Sequence, residues 1–336
     1  MAAENDLGRD NIKKLVIRIA VPSMLAQFVS VLYSIVDRMY IGNIPVSGDM
    51  ALAGAGVCGP VVTMIGSVAF LVGIGGAPLM SMKMGQGDKK AAERILANCF
   101  LMLALCSVLM VACIYPIRIP MLRYFGASDT TLPYANAYFT IFLTGTVFAL
   151  MSTGMNQFII CQGFAKTGMY SVVLGAALNI ILDPIFIFGL HMGVSGAAVA
   201  TVISQALSGI GIAVYSYFRV PDIRRMFLRQ KDAESNTFWQ TAGEILRFSS
   251  ISSLQQSIMN FGILMIQGLV NSFGSAVMAA FAAVVKIDSF AYMPAQEFGN
   301  AYSLFISQNY GAGKSERVHQ GTKKALQISV LFCAFV

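Results

Sequence analysis

The sequence predicts an all-α polytopic membrane protein made of two parallel six-helix bundles, the second of them incomplete. Its composition, the grouping of its charges and an internal repeat lead to this fold class. Of the 336 residues, 56% are hydrophobic and only 12% are charged, with a mean hydropathy of +0.68. A soluble domain carries about 25% charged residues. Here the charges lie in groups, and the stretches between the groups are almost purely apolar.

The sequence contains nine apolar runs that we interpret as membrane-spanning helices. Eight are long enough to cross a bilayer, and the ninth is cut short by the end of the sequence. They occupy approximately residues 15–42, 51–82, 95–117, 132–158, 169–190, 194–218, 245–270, 276–306 and 325 onward. The first run is too long for a signal-peptide core, so we expect it to be a retained helix. A spanning helix needs about 20 residues, and the ninth run is shorter than that when the sequence ends at Val336. We therefore expect a longer, carboxy-terminally truncated protein.

The basic residues predict how the helices are oriented. The formal net charge is +7, and most of the 23 Lys and Arg residues fall on one set of alternate connections. Positive residues favour the cytoplasmic side of a membrane. We therefore expect a cytoplasmic amino terminus, with the lipid bilayer rather than nucleic acid as the partner of this basic protein.

A repeat divides the chain. At an offset of 226 residues (311 − 85), Gly85 aligns with Gly311 and Gly87 with Gly313, each pair just after an apolar run. The repeat unit is six spans, and parallel repeats of this kind recur among transporters. We predict an amino-terminal bundle over 1–218, a cytoplasmic linker over 219–241, and the start of a carboxy-terminal bundle over 242–336, with helices 7, 8 and part of 9.

The sequence does not favour a metal site, enzymatic catalysis or ATP coupling. The six cysteines have no paired spacing and the two histidines fall in predicted loops, so we expect free thiols, no metal framework and no enzyme. The stretch "GAGKSE" lacks the full spacing of a phosphate-binding loop, so we expect no ATP coupling.

Two acids of the first half are candidate functional residues, because ionisable groups inside a membrane mark functional sites by default. Asp183 lies four residues after Asn179, on the same helix face, and Pro184 can kink the helix there. Together they suit a small cation, although Asp183 can also serve as a structural hydrogen-bonding group. Asp37 is either a second member of such a site or part of a charged pair at the membrane interface.

Three ionisable residues fall within the eighth run: Lys286, Asp288 and Glu297. They either line a pathway in the second half or include a buried salt bridge, and the sequence does not favour one reading over the other. Thr201 in the sixth run receives no role from the residues alone, since a lone Thr in a membrane helix usually bonds to its own backbone.

The sequence resembles the MATE (multidrug and toxic compound extrusion) transporters, near their bacterial multidrug-efflux branch. Four stretches carry the resemblance: the spacing Pro22, Asp37, Gly42; "NIILDPIFIFG"; "GVSGAAVATVISQ"; and the repeated glycine loops. It implies two six-helix bundles around a cleft (the MATE/MOP type), a helix kink at Pro22 as well as Pro184, and a multi-pass protein of the bacterial inner membrane.

The resemblance also implies an activity and a site. The expected activity is the export of amphipathic or cationic drug-like compounds in exchange for H⁺ or Na⁺, by a monomer without a cofactor. The expected cation site, which Na⁺ would also use, consists of Asp37, Asn179, Asp183 and Thr201. The seventh run has no acid in "SSLQQSIMNFG", which favours coupling through the first bundle. The alternative is a flippase for lipid-linked oligosaccharides, but such a cleft should contain more Arg and Lys than these spans do.

Overall fold

The computed structural model describes residues 8, 10–219, 235–271, 273 and 275–335, with most of their side chains. This part of the chain consists of helices joined by short turns and loops and has no strand, as predicted. Its helices are α1 (Ile12–Gly42), α2 (Gly48–Gly85), α3 (Lys89–Tyr124), α4 (Leu132–Thr144), α5 (Thr146–Cys161), α6 (Ala165–Pro184), α7 (Val194–Arg219), α8 (Ser235–Asn271), α9 (Ser275–Gly311) and α10 (Ser315–Phe335).

Up to six spans meet the length and composition of membrane helices in the described residues. Five are single helices in α1, α2, α3, α6 with its continuation, and α7, and the sixth is the pair α4 and α5. The last three predicted runs form α8, α9 and α10 but are not among these six.

The fourth predicted run is not one straight helix. It forms α4 and α5, which are bent by 57° relative to each other. The break lies at Gly145, which keeps a right-handed helical conformation (φ −84°, ψ −4°) and whose N–H bonds to the carbonyl oxygens of Ile141 and Phe142. A glycine between two apolar stretches changes neither length nor hydropathy, so the run alone did not reveal the bend.

The two prolines behave differently. Helix α1 continues through Pro22, whereas α6 ends at Pro184 and continues as a π-helical segment, Ile185–Gly189. Because proline has no N–H, the regular hydrogen-bond ladder is interrupted there. Such π-helical segments occur frequently at functional sites.

Helix α2 lies at the centre of the packing. It contacts α3, α4 and α5 within the first half of the chain and α8 and α9 within the second. Helix α1 packs against α6 on one side and α9 on the other. The largest fully buried side chains include Phe139, Phe158 and Phe305. The core therefore joins α1–α7 (the first half) to α8–α10 (the second half).

Part of the predicted linker lies outside the described residues. Residues 220–234 are not described, and α8 already begins at Ser235. The end of the segment assigned to the linker is therefore helical. The described structure does not otherwise test the predicted domain boundaries.

Candidate functional site

Helices α6 and α7 bring three of the four predicted site residues into direct contact. The Nδ2 atom of Asn179 lies 3.2 Å from Oδ1 of Asp183, one turn along α6, and 3.3 Å from the hydroxyl oxygen of Thr201 on α7. Asn179 and Asp183 are 2% and 0% exposed. The amide of Asn179 thus connects the carboxyl group to the neighbouring helix.

Helix α1 supplies the fourth residue. The side chain of Asp37 is within hydrogen-bonding range of the carboxyl group of Asp183. It forms no ion pair with its neighbour Arg38 in the described structure, so the interpretation of Asp37 as half of a local charged pair is not favoured. Two carboxyl groups in contact repel each other when both are charged, and a shared proton or a bound cation relieves that repulsion.

Three oxygen atoms of this cluster have no hydrogen-bond donor among the described residues. They are Oδ1 of Asp37, Oδ1 of Asn179 and Oδ2 of Asp183, and all three are buried. Buried polar atoms normally have a partner, and each exception needs an explanation. Carboxylate and carboxamide oxygens without donors are the ligands that a small hard cation prefers. The residues present therefore fit a proton or Na⁺.

A cavity of about 480 Å³ opens beside the cluster. Its lining includes Asp37 and Thr201 from the cluster, and among the described lining residues Arg38 is the only other Asp, Glu, Lys or Arg. The rest is aromatic, aliphatic, glycine or neutral polar surface. The cluster is thus adjacent to a space large enough for a small organic molecule.

Sequence reasoning missed three polar neighbours of the site. Tyr33 lies one turn before Asp37 on α1, and Tyr138 on α4 is close enough to both acids to experience their charges. Gln205, one turn after Thr201, lines the cavity with a buried Oε1 atom that has no donor in the described structure. The four-residue spacing was a usable signal for Tyr33 and Gln205. Tyr138 had none, because its position depends on the packing of α4.

The structure does not bring Asp288 or Glu297 of the second half to this site. The side chain of Glu297 bonds to Asn300, with 3.2 Å between Oε1 and Nδ2, and contacts Gln157 of α5. Asp288 is exposed, and the side chain of Lys286 lies outside the described residues. Because the side chain of Lys286 is not described, the salt bridge that was one of two readings for these residues stays a prediction.

Comparison with known proteins identifies the family. The family model described as MatE matches residues 22–185 and 249–336, which is well over half of the chain and includes Asp37, Asn179 and Asp183. The chain belongs to the MatE family. It is therefore a multi-pass membrane transporter and not an enzyme, as the sequence predicted.

Three relatives of this MatE protein each align with more than nine-tenths of its chain. "Probable multidrug resistance protein YpnP" of Bacillus subtilis is 26% identical over 321 residues, covering 93% of this chain and 68% of the relative. "Probable multidrug resistance protein NorM" of Thermotoga maritima is 25% identical over 327 residues, covering 96% and 68%. The "FAD transporter" of Shewanella oneidensis is 23% identical over 327 residues, covering 96% and 70%.

Solved structures show the same fold. A crystal structure of MATE in complex with MaD3S superimposes with a TM-score of 0.88 at 24% identity, over 99% of this chain and 74% of the other. An outward-facing conformation of a multidrug resistance MATE family transporter of the MOP superfamily gives a TM-score of 0.85 at 24% identity, over 99% and 72%. The predicted MATE/MOP architecture is confirmed.

Proposed function

We propose that this protein is a secondary active multidrug efflux antiporter, which exports amphipathic and cationic organic compounds in exchange for H⁺ or Na⁺. The observation that carries the proposal is the convergence of Asp37, Asn179, Asp183 and Thr201 from three helices beside the cavity. Names of relatives such as NorM and YpnP support drug export as the direction of transport. The charge distribution supports an amino terminus in the cytoplasm of a bacterial cell, and the protein acts as a monomer in the inner membrane.

Each residue of the cluster has a distinct role in this proposal. Asp37 and Asp183 carry the negative charge that attracts the coupling cation. Asn179 contributes its donor-free Oδ1 atom, and its Nδ2 atom fixes its orientation against Thr201. Because Asp37 belongs to α1 and Asp183 to α6, a cation between them draws the two helices together, and its release lets them separate.

This difference supplies the coupling. A ligand shifts a conformational equilibrium only through its different affinities for the two states. The cation favours the state in which Asp37 and Asp183 are close, and the drug favours the state in which α1 has moved away from α6. The two ligands therefore exclude each other, as antiport requires.

The flippase alternative gains no support from the cavity. A phosphate-bearing lipid carrier requires several cationic side chains, and Arg38 is the only one among the described cavity-lining residues. One relative, from Shewanella oneidensis, is named an FAD transporter. The transport assay should therefore also include an anionic compound as a candidate substrate.

The test is transport by purified protein in proteoliposomes, with ethidium as the probe and either a pH or a Na⁺ gradient. Asp37→Asn and Asp183→Asn should each abolish gradient-driven transport. Asp129→Asn is the control, because Asp129 lies in the loop after α3 and forms an exposed ion pair with Arg123 in the last turn of that helix. Such exposed pairs contribute little. Normal gradient-driven transport by a correctly inserted Asp183→Asn protein contradicts the proposal.

A further inference from the structure

The two repeated glycine motifs meet in space. A Cβ atom on Gly85, at the end of α2, would overlap the carbonyl oxygen of Gln308 and lie 2.9 Å from its carbonyl carbon. A Cβ atom on Gly311, at the end of α9, would overlap the carbonyl oxygen of Met82 and lie 2.9 Å from its carbonyl carbon. In both cases the neighbour is backbone, which cannot rotate away as a side chain can. The two helix ends are therefore as close as glycine allows.

The contact is reciprocal under the repeat. The offset that aligns Gly85 with Gly311 also aligns Met82 with Gln308 (308 − 82 = 226). Gly85 thus touches Gln308, and Gly311 touches Met82. Because Met82 and Gln308 are equivalent in the repeat, the two contacts are related as at an interface formed about a two-fold axis. In each case a glycine Hα takes the place of the Cβ and points at a carbonyl oxygen, a contact that recurs where helices cross closely.

Two further sets of contacts reinforce this crossing. The hydroxyl group of Ser81, which is 0% exposed, donates a 2.9 Å hydrogen bond to the carbonyl oxygen of Leu304. Beside the crossing, the side chains of Lys314 and Arg317 bond to the backbone carbonyl oxygens of Gly8 and Asp10. The start of the chain is thereby fastened to the second half at the same end of the molecule.

The crossing is remote from the cavity. Along α2 the cavity lining reaches from Leu52 to Ala69, and Gly85 lies about 24 Å beyond Ala69 at 1.5 Å per residue. We propose that Gly85 and Gly311 form a backbone gate between the halves, which closes this end of the molecule in the present state and separates when the cavity becomes exposed to this same side of the membrane. This inference builds on the proposed transport cycle and adds the residues that close one end.

The test is the access of a water-soluble maleimide to a cysteine placed inside the gate. Ser81→Cys supplies the reporter, in a background with Cys106→Ser, Cys113→Ser and Cys333→Ser, while the other three cysteines are buried and remain. The reporter is compared in protein with Gly85 and Gly311 intact, with Gly85→Ala, and with Gly311→Ala. Gly299→Ala on α9 is the matched control, because a Cβ atom there meets nothing within 4 Å.

Overpacking a close contact shifts the balance against it, so Gly85→Ala and Gly311→Ala should each accelerate labelling by about tenfold or more. Gly299→Ala should leave the rate unchanged. Unchanged labelling in folded Gly85→Ala and Gly311→Ala proteins overturns the proposal. If the reporter protein does not fold, hydrogen exchange of residues 79–90 and 303–316 is measured in the single glycine variants instead. Faster exchange than in the parent protein supports the gate, and unchanged exchange overturns it. Neither measurement needs a transported substrate, so failure here is distinct from failure of the antiport proposal.

Discussion

The amide nitrogen of Asn179 lies 3.3 Å from the hydroxyl oxygen of Thr201, across the interface between α6 and α7. Because the same nitrogen lies 3.2 Å from the Oδ1 atom of Asp183, Thr201 helps to fix the direction in which the amide points. That direction leaves the Oδ1 atom of Asn179 buried and without a donor in the described structure. A threonine that is not itself charged thus orients one oxygen of the proposed cation site.

Replacement of Thr201 tests this relationship. Thr201→Val keeps the side-chain shape but removes the acceptor, and loss of a partner for a buried amide costs about 1–3 kcal/mol. We expect the concentration of H⁺ or Na⁺ that gives half-maximal transport to rise by about tenfold. Thr201→Ser keeps the hydroxyl group and should stay near the parent value. Equal cation dependence for Thr201→Val and the parent protein argues against the assigned role.

The helical pattern of the first half was readable from the sequence, because a spanning helix needs only length and apolarity. The pairing of Asn179 with Asp183 was also readable, because four-residue spacing places both on one helix face. The role of Thr201 came from the family resemblance, since its local sequence predicts a bond to its own backbone. The structure instead shows its hydroxyl group beside Asn179.

Features that depend on tertiary packing were not readable. Gly145 breaks the fourth span where α7 approaches, and nothing local distinguishes it from Gly154, which remains inside α5. The nearness of Tyr138 to Asp37 depends on how α4 packs against α2 and α7. The repeat aligned Gly85 with Gly311, but only the structure shows that the two motifs touch.

Arg38 should affect which drugs are carried. Its guanidinium group lines the cavity beside Asp37 and repels a cationic compound in the same space. Arg38→Gln should therefore increase the affinity for ethidium by about fivefold to thirtyfold, since a unit charge nearby contributes on the order of 1–2 kcal/mol at an effective dielectric constant of 20. Arg38→Lys keeps the charge and serves as the control. Binding is measured by ethidium fluorescence, and a weaker affinity in Arg38→Gln is the contrary result.

Substitutions at Gly145 and Val202 should have non-additive effects on the free energy of unfolding. A Cβ atom on Gly145 would overlap the Cγ2 atom of Val202 and lie 2.7 Å from its Cγ1 atom. Gly145→Ala should destabilise the protein by about 1–3 kcal/mol, and Val202→Ala in the same chain should recover much of that loss by vacating the space. Thermal unfolding in detergent measures both. Gly211→Ala on α7 is the control, because a Cβ atom there meets nothing within 4 Å. Additive effects of the two substitutions contradict the predicted contact.

Substitution by alanine should be tolerated less well at Gly196 than at Gly145. Helix α7 begins beside the π-helical segment, and a Cβ atom on Gly196 would lie 2.7 Å from the carbonyl carbon of Phe186 and 2.9 Å from the amide nitrogen of Ile187. These neighbours are backbone, so no side-chain truncation can make room. Gly196→Ala must instead displace the start of α7 from the segment that follows Asp183, and with it the distance between Thr201 and Asn179. We therefore expect a lower unfolding temperature than for Gly145→Ala together with a weaker cation dependence of transport. A Gly196→Ala protein that matches the parent in both measurements shows that the two segments are not held this closely.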